Sequence, residues 1–225
     1  MPARYNPLVT NYYYHVYNRG VNKRPLFHKK KDYKRAINLI KFYRKLDYPI
    51  RFSKFLQLSN NQRKEIWQRL EKSNAYVDII AYCLMPNHFH FLIIQKSDIG
   101  TSKFMANFQN SYAKYFNIKY KRIGPLFQGQ FKAVKIDSEE QLLHVSRYIH
   151  LNPYSSAIVK NTEKLLTYKW SSLPEYLNTT DFPFCSKEII LNNFSDDLES
   201  YKKFILDNAD YQKGLENIKH LTVEQ

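Results

Sequence analysis

Between Tyr76 and Gln95 the chain is strongly apolar and is interrupted once, at Pro86-Asn87. Short apolar runs bounded by turn residues, with no helical stripe, read as buried strands. Tyr76 to Met85 is therefore expected to form one strand, and His88 to Gln95 to continue in extended structure. Such a pair needs partners packed against it, and the flanking sequence supplies them.

Tyr12 to Asn18 is β-prone and ends in a turn at Arg19-Gly20. Asp32 to Leu46 places Tyr33, Ala36, Ile37, Ile40 and Tyr43 at helical spacing. Thr101 to Ile118 does the same with Phe104, Phe108, Tyr112, Tyr115 and Phe116. A further helical stretch covers Asn61 to Glu71. Leu126 to Ile136 reads as a strand broken at Gly129. Ser138 and Gln141 match a capping box that opens another helix, and Pro153 is expected to stop it. This order predicts an α+β fold, a central antiparallel or mixed sheet with packed helices.

Composition removes several classes. The 225 residues are 44% hydrophobic and 16% aromatic, too apolar for a disordered chain. Five Gly and nine Pro exclude a collagen-like or low-complexity architecture. The longest unbroken apolar run, Ile79 to Met85, falls far short of the roughly 18 residues of a membrane helix. Met1 to Tyr5 lacks the apolar stretch of a secretion signal. Cys83 and Cys185 suggest neither a disulfide framework nor a zinc site. A soluble, cytoplasmic protein with reduced thiols is expected.

The charge is uneven. The whole chain carries a formal +15, and residues 1–50 hold 12 Lys and Arg against two acids. Residues 191–225 hold four Lys against seven acids. A basic segment with interleaved Tyr and Phe suits a polyanion: cations neutralise phosphates and rings stack on unpaired bases. The plain alternative is a solvated basic surface over an aromatic core, since net charge reports on association rather than on a site.

Two features carry chemistry. In His88-Phe89-His90, strand alternation points both imidazoles one way and both Phe89 and Phe91 the other. Two imidazoles so placed can grip one divalent ion, although paired histidines on a half-exposed strand are the commoner occupants of this pattern. On the helix from Ser138, His144, Tyr148 and Asn152 are four apart and form one stripe, while His150 lies on another face. A phenol with a pKa of about 10 needs help to act as a nucleophile at neutral pH. A metal polarising the target phosphate lowers that demand.

Together these segments resemble a known family. Ala81 to Ile93, with Pro86-Asn87-His88-Phe89-His90 at its centre, looks like the metal-binding strand of the HUH single-strand tyrosine transposases. Arg147-Tyr148-Ile149-His150-Leu151-Asn152-Pro153 looks like their nucleophile helix. The match is best to the REP-associated tyrosine transposase branch. Tyr14 to Gly20, Gly124 to Ala133, Tyr168 to Ser172 and the tail from Glu188 to Phe204 support it, so the resemblance spans nearly the whole chain.

The resemblance implies a ferredoxin-like or RNA-recognition-motif-like α+β domain with a central antiparallel sheet. Residues 1–180 would be the catalytic domain, with 46–75 as an insertion, and 181–225 a helical C-terminal extension. It implies metal-dependent cleavage and rejoining of single-stranded, hairpin-forming DNA through a 5′-phosphotyrosine. His88, His90 and Asn152 would ligate Mg²⁺ or Mn²⁺, and Tyr148 would be the nucleophile. Arg19, Lys23, Arg24 and Lys132 are candidate DNA contacts. Family members work as monomers or homodimers, and either is expected here. Gln130 departs from the basic residue expected at its position. Two other readings are a non-catalytic nucleic-acid-binding module on this fold and an HUH replication initiator or relaxase. The short chain argues against the latter, and the joint presence of His88, His90, Tyr148 and Asn152 against the former.

Overall fold

The computed structural model describes residues 7–180 and 183–222, with side chains through 215. Its elements run β1 (Tyr13–Arg19), α1 (Lys30–Tyr43), α2 (Phe52–Phe55), α3 (Asn60–Lys72), β2 (Val77–Met85), β3 (His88–Gln95), α4 (Gly100–Lys119) and β4 (Lys132–Ile136). They continue with α5 (Glu139–Ser155), α6 (Thr162–Leu166), α7 (Leu173–Tyr176), α8 (Glu188–Leu191), α9 (Leu198–Leu206) and α10 (Ala209–Thr222). The strands form one sheet in the order β2-β3-β1-β4, every neighbour antiparallel. With the β-α-β-β-α-β connection this is the ferredoxin-like arrangement that the resemblance implied.

Strand alternation divides the core into two layers. Tyr14 and Val16 of β1, Tyr82 and Leu84 of β2, and Phe89, Phe91 and Ile93 of β3 pack under α1 and α4. Ala81, Cys83, Met85 and Leu92 pack on the other face, under α5. The β2–β3 pairing slips between Ile79 and Ala81. This bulge lets Ile80 and Ala81 both face α5 and resets the parity of the rest of β2. The aromatic stripe of α4 is core: Phe104, Phe108, Tyr112 and Phe116 are all buried. Each such side chain contributes on the order of 2–3 kcal/mol of apolar burial.

Residues 47–75 hold α2 and α3. Phe52, Phe55 and Trp67 gather around Phe42 of α1, with ring centroids 5.2, 5.3 and 5.9 Å away. After residue 183, Ile190, Leu191, Tyr201, Ile205 and Ala209 join the cluster beneath α5. The helix α5 is thus covered on its outer side as well as by the sheet.

Two expectations are corrected. The strand expected over Leu126 to Ile136 begins only at Lys132. Gly129 has φ 63°, in the left-handed region, which turns the chain out of extended structure, and Phe127 makes a single bridge to Gly20. Pro153 does not stop α5, which runs on to Ser155. Proline removes one amide and so one i→i−4 bond. Here that loss falls in the last turn, and Ser156 N–H closes the end on Asn152 O at 3.0 Å.

Candidate active site

The β2–β3 turn is held from one side. Leu26 and Phe27 N–H donate to Pro86 O at 2.7 and 3.1 Å, and Gly20 N–H donates to Asn87 O at 2.8 Å. Asn87 Nδ2 donates to Lys23 O at 3.2 Å. Gly20 is required by close approach, because a Cβ there would sit 2.1 Å from Arg24 O. The turn after β1 is thereby fixed against the start of β3, where His88 lies.

His88 and His90 share the α5 face of the sheet, as alternation requires. Their ring centroids are 5.1 Å apart. His88 is half-buried and His90 buried. Tyr148 hangs over them from α5: its ring meets His90 edge-on at 5.6 Å, with an interplanar angle of 88°. His90 and the phenol, 58 residues apart in sequence, therefore meet in one chain, with His88 beside His90. Burial holds the His90 imidazolium well below its ordinary pKa, with His88 and His15 as further causes.

The stripe along α5 dives inward. His144 is exposed, Tyr148 half-buried and Asn152 buried. His144 pairs with Arg147 at 2.8 Å and lies 3.7 Å from Glu140. Asn152 Nδ2 donates to Tyr148 O at 2.9 Å, which fixes the amide plane one turn beyond the phenol. His150, on the other face, is a core residue. Its Nδ1 lies 2.8 Å from the Tyr201 hydroxyl and its Nε2 2.7 Å from Ser172 Oγ.

Sequence reasoning overlooked two neighbours. His15 and Tyr17 of β1 face α5 beside His90. His15 Nε2 is 2.9 Å from His90 Nδ1, and the Tyr17 ring stacks at 5.7 Å from His90. Burial lowers the His15 pKa to about 4, so its ring is neutral at pH 7. The signal was available: alternation in Tyr13-Tyr14-His15-Val16-Tyr17 puts His15 and Tyr17 on one face. Choosing the face needed the β1–β3 register.

The donors present suit a hard or borderline divalent ion. Among the described residues no three His, Cys, Asp or Glu side chains converge as a metal site. His88 and His90 would be two ligands, and the remainder must be oxygen donors, for which the Asn152 amide is the protein candidate. His90 Nδ1 is engaged by His15, so Nε2 would be its ligating nitrogen. When bound, the ion would polarise a phosphate and stabilise charge on its oxygens.

Beside His88 opens a cleft of about 730 Å³, lined among others by Tyr17, Arg19, Lys23, Gln130 and Lys132. Three of the four basic candidates thus border it with His88, whereas Arg24 does not. Arg19 Nε donates to Gln128 Oε1.

The family model described as Transposase IS200 like matches residues 51–152. Over this segment the chain is similar to IS200-like transposases. The transposase match takes in His88, His90, Tyr148 and Asn152 and leaves out β1, which carries His15. Among solved structures, one of a REP-associated tyrosine transposase bound to a REP hairpin superposes with a TM-score of 0.54 at 14% identity. It covers 83% of this chain and 98% of that one. At that identity the likeness concerns the fold alone. A tRNA(His) guanylyltransferase structure from Saccharomyces cerevisiae reaches only a TM-score of 0.33 at 15% identity, covering 86% of this chain and 81% of that one. No protein of curated function matches the sequence. Among the described residues, no helix of the chain is long and apolar enough to cross a membrane.

Proposed function

We propose that this protein is a transposase that cleaves and rejoins single-stranded DNA through a covalent link to Tyr148. The observation that carries the reading is the meeting of the Tyr148 ring with His90 at 5.6 Å, in a matched transposase segment. The Tyr148 oxygen attacks a phosphorus of the strand. The Tyr–O–P bond forms, the P–O3′ bond breaks, and the departing 3′ oxygen takes up a proton. The energy of the phosphodiester is kept in the 5′-phosphotyrosine. A 3′-hydroxyl attacking that phosphorus re-forms the DNA linkage and returns the phenol, with no external energy source.

The other residues divide the remaining work. His88, His90 and Asn152 hold Mg²⁺ or Mn²⁺. His15, neutral at pH 7, accepts from His90 Nδ1–H and selects the tautomer whose Nε2 is free to ligate. Arg19, Lys23 and Lys132 hold the backbone of the DNA in the adjoining cleft. The solved relative was bound to a REP hairpin, and hairpin-bearing single strands are the substrates proposed here.

The test is incubation with labelled hairpin-bearing single strands and Mn²⁺, followed by denaturing electrophoresis. A covalent adduct is expected from the wild type and none from Tyr148→Phe, which preserves the ring that packs on His90. An unchanged adduct in Tyr148→Phe rejects Tyr148 as the nucleophile. Full cleavage by His88→Ala rejects the metal site.

A further inference from the structure

A second cleft, of about 860 Å³, opens on the α1 side of the sheet edge. The proposed chemistry makes no use of it. Its walls come from α1, α3 and the segment around α6 and α7. Lys34, Lys41 and Arg44 line it from α1, Trp67 from α3, and Lys169 and Trp170 from the segment between α6 and α7. The chain has only two tryptophans, and both are here.

The indoles and cations are arranged for use. Trp170 is half-buried and stacked on Tyr33 at 4.6 Å and 17°, which holds the indole in a fixed plane. Trp67 is half-buried and braced edge-on by Phe42 and Phe55. Lys34 and Lys169 are exposed, and among the described residues neither makes an ion pair. Arg44 is the most telling. Its Nε is buried with no hydrogen-bond partner, and its guanidinium reaches Asp78 only at 3.7 Å. A buried donor without an acceptor is costly; the Arg44 side chain lines the cleft, where an anionic oxygen would supply the close charge pairing that Asp78 does not. Two acids also line the cleft, Glu71 and Glu175. Glu175 is already engaged, accepting from Phe184 N–H and Cys185 N–H at 2.8 and 2.9 Å.

From these features we infer that this cleft is a second nucleic-acid site, which grips an unpaired stretch of a strand by stacking bases on Trp67 or Trp170 and placing phosphates on Lys34, Lys169 and Arg44. Planar rings interleaved with cations favour single strands over duplex, because only unpaired bases expose their faces for stacking. The volume accommodates one or two nucleotides rather than a helix. The inference extends the proposed function by giving the enzyme a hold on DNA away from the reacting phosphate.

Because both tryptophans line the cleft, intrinsic indole fluorescence reads it selectively. Titration of the full chain with (dT)₈ is expected to quench that emission. Lys34→Ala/Lys169→Ala is expected to weaken binding by about tenfold and to flatten the log–log salt dependence by about 1.4, at roughly 0.7 per lost phosphate contact on a single strand. Tyr148→Phe, which forms no adduct, is expected to quench like the wild type. Absence of quenching while the covalent adduct still forms overturns the second site and leaves the proposed function standing. Quenching without any adduct does the reverse. An unaltered affinity and salt slope in the double variant, or equal quenching by a (dA)₈·(dT)₈ duplex, also overturns the inference.

Discussion

His15 Nε2 lies 2.9 Å from His90 Nδ1, a diagonal contact between β1 and β3. The two rings also stack, with centroids 5.1 Å apart. Only one tautomer of this pair leaves His90 Nε2 free to ligate: His90 donates from Nδ1 and His15 accepts. Substituting the acceptor is therefore expected to cost metal affinity rather than fold. His15→Phe should weaken Mn²⁺ binding by roughly 10–100-fold, measured by calorimetry or by the EPR signal of free Mn²⁺. His15→Gln, which keeps an acceptor, should lose less. Equal affinity in all three proteins would remove His15 from the site.

Asn152 separates two functions of one amide. Its Nδ2 donates to Tyr148 O, while its oxygen is the ligand proposed for the ion. Asn152→Asp keeps an oxygen and gives up the donor, so Mn²⁺ binding should persist. Asn152→Leu keeps bulk and gives up both, and Mn²⁺ affinity should fall by about tenfold or more. If the Leu variant binds Mn²⁺ as tightly as the wild type, Asn152 only braces the helix.

The cleft beside His88 sorts the basic candidates. Arg19, Lys23 and Lys132 line it and Arg24 does not. Removing a phosphate contact on a single strand flattens the log–log salt dependence by about 0.7. Arg19→Ala and Lys132→Ala should each show that change on a hairpin-bearing strand, and Arg24→Ala should not. A salt slope altered by Arg24→Ala alone would move the DNA path to the other side of the turn.

Much of this site was legible in the sequence because its parts are periodic. Alternation alone put His88 and His90 on one face, and a four-residue spacing put Tyr148 and Asn152 on one stripe. That the stripe lies over the pair is a tertiary fact, set by α5 crossing the sheet on the face opposite α1 and α4. The role of His15 was hidden for the same reason: its partner is on a strand more than seventy residues away. Pro153 misled because the cost of a proline depends on where in a helix it falls. The fate of His150 was invisible, since the residue that covers it, Tyr201, arrives from α9. Asp32 is one of two acids among the twelve cations of residues 1–50, and nothing local shows how many donors converge on it.

Those donors make Asp32 the basis of a pH prediction. Its buried carboxylate accepts from His28 N–H and Lys29 N–H at 3.0 and 2.9 Å. The Tyr115 and Tyr120 hydroxyls donate to it at 2.8 and 2.7 Å, and Lys119 Nζ pairs with it. Burial by itself would raise the pKa, but the hydrogen bonds from Lys119, Tyr120, the Lys29 backbone and Tyr115 outweigh it and bring the value down to about 2, from 3.8. A carboxylate whose folded pKa is depressed stabilises the fold above its unfolded pKa. That stability is lost as the pH falls from about 4 through about 2. A shift of this size corresponds to about 2 kcal/mol. Burial also lowers the His15 and His150 pKa values, to about 4 and about 3, which costs stability below pH 6.5, but those contributions cancel between variants that differ only at Asp32. Asp32→Asn should therefore be destabilised at pH 7 by about 3 kcal/mol, because Lys119 loses its counter-charge and one accepting oxygen becomes a donor. Urea unfolding at pH 7 measures that loss. Repeated between pH 5 and pH 2, it should show the gap between wild type and Asp32→Asn closing by about 2 kcal/mol. A gap that stays constant over that range would mean the carboxylate titrates as it does in the unfolded chain, and that the donors gathered around it do not stabilise its charge.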